Sequence, residues 1–182
     1  MENTIRKRVI SLSREAAFIL MTVLSAVALP EILHGIGALL GVGGQLGQMF
    51  LPMYIPVLII GFYRGPIPAA IVGLAAPLVS FALTGMPAVG VLPYITVELV
   101  ATGVLAGVFA KVKIPAILRV LSVQAAAKAV RVLVHTVALA VMTGGVKASV
   151  LFAGIAVSIP GLLLQLVLVS YLIAEKEKRN NA

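Results

Sequence analysis

Apolar residues fill this chain in long stretches without strict alternation, interrupted by Gly, Pro or charge. Six such runs are legible, at residues 15–33, 50–63, 67–83, 91–110, 116–142 and 148–174. Crossing ~30 Å of hydrocarbon takes roughly 20 predominantly apolar residues. A membrane β-strand would place a polar residue at every second position, and these runs do not. Helices also satisfy their own backbone groups, as lipid requires. The pattern therefore predicts an all-α polytopic membrane protein of six transmembrane helices, forming a single domain over residues 1–182. The second run is short and broken by proline, and it ends at Arg64-Gly65-Pro66. Thr84-Gly85-Met86-Pro87, Lys111-Val112-Lys113-Ile114-Pro115 and Thr143-Gly144-Gly145 read as the joints between later runs.

Composition narrows the picture further. Hydrophobic residues make up 61% of the chain and charged residues only 11%, with a mean hydropathy of +1.15. A soluble domain carries about 25% charged residues, so there is too little polar surface here for a water-facing globule. The absence of cysteine excludes disulfides, thiolate metal sites and cysteine nucleophiles. Arg6-Lys7-Arg8 followed by an apolar stretch and Ala26-Val27-Ala28 imitates a cleavable signal peptide. Five further apolar runs favour a first membrane span instead.

The net charge of +8 matters through its placement. With the N-terminus in the cytoplasm, eleven Lys and Arg residues fall on the cytoplasmic side and one, Lys147, on the outer side. Lys128 and Arg131 lie within the fifth run. This asymmetry predicts both termini in the cytoplasm, in the cytoplasmic membrane of a bacterium or archaeon.

The polar residues inside the apolar runs carry the candidate chemistry. Gln124, Lys128, Arg131 and His135 are spaced 4, 3 and 4 apart, on one helical face. Tyr94, Glu98 and Thr102 form a second such stripe on the fourth span, and Ser158 and Gln165 lie seven apart on the sixth. A charge at bilayer depth costs at least about 2.5–3.5 kcal/mol, so these side chains must face protein or water. At 1.5 Å rise per residue, Glu98 and His135 each lie roughly 12 Å below the outer ends of their spans. Arg131 is one turn deeper and Lys128 deeper still. Glu98, Arg131 and His135 are thus placed to converge in the outer half of the membrane. Two readings stay open: an ion pair that holds the bundle, or a solute site. Two cations and a histidine against one carboxylate leave positive charge over, which leans towards an anionic or zwitterionic solute.

Other motifs are weaker. Gly41-Val42-Gly43-Gly44-Gln45-Leu46-Gly47 fails as a nucleotide-binding loop, because Leu46 occupies the third glycine position and no strand precedes it. Residues 34–48 read either as a lid over an outward site, with Gln45 and Gln48 as polar contacts, or as a glycine linker. His34 reads as a solvated loop residue. No acidic cluster accompanies the two histidines, so no metal site is expected. No G-x-S-x-G and no Walker A sequence is present. Neither a cofactor nor an enzymatic activity is expected. Thr22 and Ala26, four apart on the first span, could let another helix approach closely, within the chain or from a partner.

Met49-Phe50-Leu51-Pro52-Met53-Tyr54-Ile55-Pro56-Val57-Leu58 leads into Gly61 and Arg64-Gly65-Pro66. It continues through Gly73-Leu74-Ala75-Ala76-Pro77-Leu78 and Ser80-Phe81 to Thr84-Gly85-Met86-Pro87. This region, about residues 48–87, resembles the S components of energy-coupling factor (ECF) vitamin transporters. The Pro-Met-x-Ile-Pro and Gly-Met-Pro elements carry the likeness. The length and six-span plan agree with it over the whole chain. The resemblance implies an S-component-like bundle that captures a vitamin or precursor, such as pantothenate, on the outer side. It implies as partners a transmembrane coupling subunit and two ATPase subunits. It also implies a pocket built from spans 4 to 6 and the outer loops. Glu98, Arg131, His135, Tyr94, Gln165, Gln48 and Lys128 are the substrate-binding candidates. Family members meet the coupling subunit through an Ala-x-x-x-Ala face on span 1. Here Ala17, Met21 and Ser25 occupy one such row and Thr22 and Ala26 another.

A second class of function is a stand-alone small-solute channel or facilitator, since the polar stripe continues inward through Lys128 and Gln124. A lipid-modifying enzyme would need an acid/base or metal cluster near one interface, and the sequence has none.

Overall fold

Glycine and proline divide the chain into helices where the sequence predicts joints. The computed structural model describes residues 2–143 and 156–181. Among them are seven helices: α1 (Glu2–Leu39), α2 (Gln45–Phe50), α3 (Tyr54–Arg64), α4 (Pro66–Thr84), α5 (Leu92–Phe109), α6 (Ala116–Thr143) and α7 (Ile159–Asn181). Gly65 alone joins α3 to α4, with φ 95 and ψ −174, a conformation open to glycine and costly for other residues. Pro66 then opens α4 at the position where a missing N–H costs nothing.

Among the described residues, five segments are long and apolar enough to cross a membrane: Ile10–Leu39, Gln45–Arg64, Pro66–Thr84, Leu92–Phe109 and Ile159–Asn180. The described fold is all-α and consistent with a polytopic membrane protein. The helix α6, at 28 residues, is long enough to cross as well and is not among these five. Two boundaries differ from expectation. The first helix extends well beyond residues 15–33 in both directions, so His34 and the start of the predicted lid are helical. The second predicted span is two helices, α2 and α3, broken at Leu51–Pro52–Met53. The predicted turn at Gly144-Gly145, Lys147 and the first part of the predicted sixth span lie outside the described residues.

Neighbouring side chains define the directions of the helices. Gly73 abuts Leu99 while Gly103 abuts Ala69, so α4 and α5 run antiparallel. Glu98 meets Arg131 and Tyr94 meets His135, so α5 and α6 do too. Gln124 reaches Gln165 and Arg119 reaches Glu177, which sets α7 antiparallel to α6. Arg64 at the end of α3 pairs with Glu15 of α1, and Lys176 of α7 donates to the Phe62 carbonyl. The N-terminal part of α1 and the C-terminal part of α7 therefore share one end of the bundle.

The helix α5 sits at the centre, packed against α3, α4 and α6. Small residues allow this: a Cβ on Gly73 or Gly103 would lie 2.7 Å from a backbone carbonyl oxygen of the facing helix. The short helix α3 is buried on most sides through Val57, Leu58, Ile60 and Phe62. The outer helices present the reverse pattern. Leu20, Met21, Ile67, Leu83, Leu133 and Val167 stand 59–74% exposed on α1, α4, α6 and α7. Soluble monomers rarely expose apolar patches beyond a few hundred Å²; a girdle of this kind suits a lipid surround.

Candidate functional site

The antiparallel register of α5 and α6 turns the two polar stripes into facing rungs. Glu98, fully buried, accepts from Lys128 Nζ at 2.5 Å through Oε1 and from Arg131 Nη1 at 2.9 Å through Oε2. Taking a carboxylate out of water costs several kcal/mol unless it is paired and hydrogen-bonded. Here each oxygen has its own cation. One turn along, the Tyr94 and His135 rings stack at 4.5 Å between centroids, inclined by 29°. One turn the other way, Thr102 closes the stripe by donating to the Glu98 carbonyl at 2.7 Å. The three ionised groups carry one positive charge in excess, so the surplus read from the sequence persists in three dimensions.

The break between α2 and α3 faces this ladder. Non-helical backbone at membrane depth is tolerated where it is buried in protein or lines a cavity. Leu51 takes up the left-handed conformation, φ 46 and ψ 52, which is uncommon for a residue with a side chain. Its carbonyl accepts from Gln165 Nε2 at 3.2 Å. Gln165 in turn accepts from Gln124, whose amide also donates to the Leu162 carbonyl at 3.0 Å. Two buried amides thus clamp α6, α7 and the helix break together. Past the break, Tyr54 lies 5% exposed under Lys128, whose Nζ is 5.3 Å from the centre of its ring. The Tyr54 hydroxyl is buried beside Glu98 and Arg131.

A cavity of about 530 Å³ opens in front of these groups. Leu51, Pro52, Met53 and Tyr54 form one wall, and Met86, Pro87, Val91 and Ile95 another. Pro30 and His34 of α1, Gly44 of the α1–α2 turn, and Gly47 and Gln48 of α2 close a third side. Ser80 and Arg131 add polar groups. Solute sites of this kind are typically ~300–1,000 Å³ and mostly apolar, with a few convergent polar groups. Arg131 is the one lysine or arginine among the described residues that reaches the cavity wall.

The structure brings the predicted residues together unevenly. Arg131 and Gln48 line the cavity. Glu98 and Lys128 lie behind Arg131, and Tyr94 and His135 pair with each other. Gln165 lies outside the cavity lining and braces the helix break. His34 corrects the solvated-loop expectation: it is half-buried on α1 and lines the cavity. Tyr54 and Ser80 were not among the sequence candidates. A polar residue directly after the proline break was the available signal for Tyr54. Among the described residues, no group of three or more His, Asp or Glu side chains could hold a metal.

The two small-residue rows of α1 face different ways. Ala26 is fully buried in the chain's own core with Val23 and Val27, and Thr22 is half-buried. Ala17 and Ser25 are exposed beside Met21, which is 63% exposed. Compared with protein-family models, curated protein sequences and solved structures, the chain matches none of them.

Proposed function

We propose that this chain is the substrate-binding membrane subunit of an ECF-type importer, taking up a vitamin-sized solute that carries an anionic group. The observation that carries this reading is Arg131. It lines a cavity of about 530 Å³ while tied to a fully buried Glu98 that Lys128 also neutralises. Tyr54, whose hydroxyl is buried beside Arg131, lines the same wall. Placement supports it too: the cavity lies at the end of the bundle away from Arg64, Lys111, Lys113 and Lys176, the end that the positive-inside rule puts outside. In this reading both termini are cytoplasmic, and the exposed row of Ala17, Met21 and Ser25 is where a coupling subunit would dock. Two ATPase subunits would supply the energy, and this chain would perform no catalysis.

A stand-alone channel is less well supported. Gln124 and Lys128, the inward continuation of the polar stripe, are engaged with Gln165 and Glu98. Below them Leu58, Phe62, Ala106, Val120, Val123 and Val169 form a dry core. The discriminating test is uptake into proteoliposomes of the solute that co-purifies with the protein. The subunit reading expects binding without accumulation by this chain alone. Solute uptake by the isolated chain, without a coupling subunit or ATPases, would contradict it.

A further inference from the structure

We propose that Lys128, which lines no part of the cavity, is the positioning residue that gives the cavity its preference for an anion; this rests on reading that cavity as the solute site. The argument is one of charge. Glu98 is fully buried and divides its two oxygens between Lys128 at 2.5 Å and Arg131 at 2.9 Å. Had Arg131 been its sole partner, the pair would be neutral, and an arriving anion would have to compete with Glu98 for the guanidinium. With Lys128 holding one oxygen, Glu98 is compensated from behind. The positive charge left over then acts at the cavity through Arg131, the one lysine or arginine there among the described residues. A guanidinium has five N–H donors, and the side chain is 25% exposed, so it can keep Glu98 and still face a ligand. Lys128 is 12% exposed and placed over the Tyr54 ring, which keeps it at Glu98 and away from the solute. Tyr54, 5% exposed, lines the same wall, with its hydroxyl buried beside Arg131. Together they suit a single carboxylate on an otherwise aliphatic solute, since most of the remaining wall is apolar.

The test compares an acid with an uncharged counterpart, which separates selectivity from folding. The probes are pantothenate and pantothenol, identical except for a carboxylate against a hydroxymethyl group, titrated into purified protein. Wild type should bind the acid at least about tenfold more tightly, the scale expected of one unit charge acting at short range in a medium of intermediate dielectric. Lys128→Met leaves a neutral Glu98–Arg131 pair and should bring the acid-to-alcohol ratio close to one. Removing the negative charge as well, in Lys128→Met/Glu98→Gln, leaves Arg131 uncompensated again and should restore the preference. A merely structural lysine would weaken both probes alike, and the second substitution would not restore the ratio. Equal affinity of wild type for the two probes, or a ratio unmoved by Lys128→Met, overturns this inference and leaves the solute-binding reading standing. Failure of wild type both to bind either probe and to carry any solute through purification overturns the two together.

Discussion

The two halves of this bundle are held together by different means. At the cavity end, α5 and α6 meet through buried charge: Glu98 between Lys128 and Arg131, with the Tyr94–His135 stack above. At the other end, α3, α4 and α5 meet through absent side chains. A Cβ on Gly61 would lie 2.5 Å from Ala106 Cβ, and one on Gly103 would lie 2.7 Å from the Ala69 carbonyl oxygen. Of the ion pairs at that end, Arg64–Glu15 and Arg179–Glu175 are on the surface, and Arg119–Glu177 joins a buried guanidinium to an exposed carboxylate. Dense apolar contact is the less costly way to join helices in lipid. A bundle that builds half of itself this way does not need buried charge for cohesion in the other half. The contrast points to a task for the charged half other than holding the fold.

The comparison can be broken in four places. The largest effect is expected from Glu98→Ala, which strands two cations at membrane depth. Removing one partner of a buried pair costs about 3–5 kcal/mol, to be read as a loss of unfolding free energy in mixed micelles. A loss below about 1 kcal/mol would mean that Glu98 is hydrated and the cluster is not a buried network. Gly103→Val tests the dry half. Overpacking should cost about 1–3 kcal/mol in the same assay, with no change in the ratio of acid to neutral solute affinity. Arg131→Ala should weaken solute binding at least tenfold, about 1.4 kcal/mol. It should cost less stability than Glu98→Ala, because Lys128 still neutralises Glu98. Glu15→Gln should be nearly silent. Its pair with Arg64 spans 3.4 Å with the side chains 46% and 35% exposed, and exposed pairs contribute about 0–1 kcal/mol.

Much of this arrangement was legible in the chain because lipid makes violations conspicuous. Gln124, Lys128, Arg131 and His135 stand out in an apolar helix, and their 4-3-4 spacing fixes a common face. Depth counting along α5 and α6 sets Glu98 level with His135 and Arg131 one turn deeper; in the structure Glu98 pairs with Arg131, and His135 stacks on Tyr94 instead. Lys128 counts as deeper still, and its long side chain reaches back to the same carboxylate. Gln165 shows a different limit. Sequence marks it as buried and polar, but its partner is the Leu51 carbonyl, freed by a helix break whose backbone conformation no residue type announces. His34 reads from sequence as a solvated loop residue and Tyr54 is passed over, because their environment depends on how far α1 extends and where α2 ends. Such boundaries are set by packing more than by hydropathy.

The central claim is that the cavity beside Arg131 holds an anionic solute. The most direct measurement is mass spectrometry of small molecules extracted from purified wild type and from Arg131→Ala of equal thermal stability. The account predicts a co-purifying solute bearing an anionic group in wild type, lost or strongly depleted in the variant. A solute without such a group, or one retained in the same amount after Arg131→Ala, would contradict it.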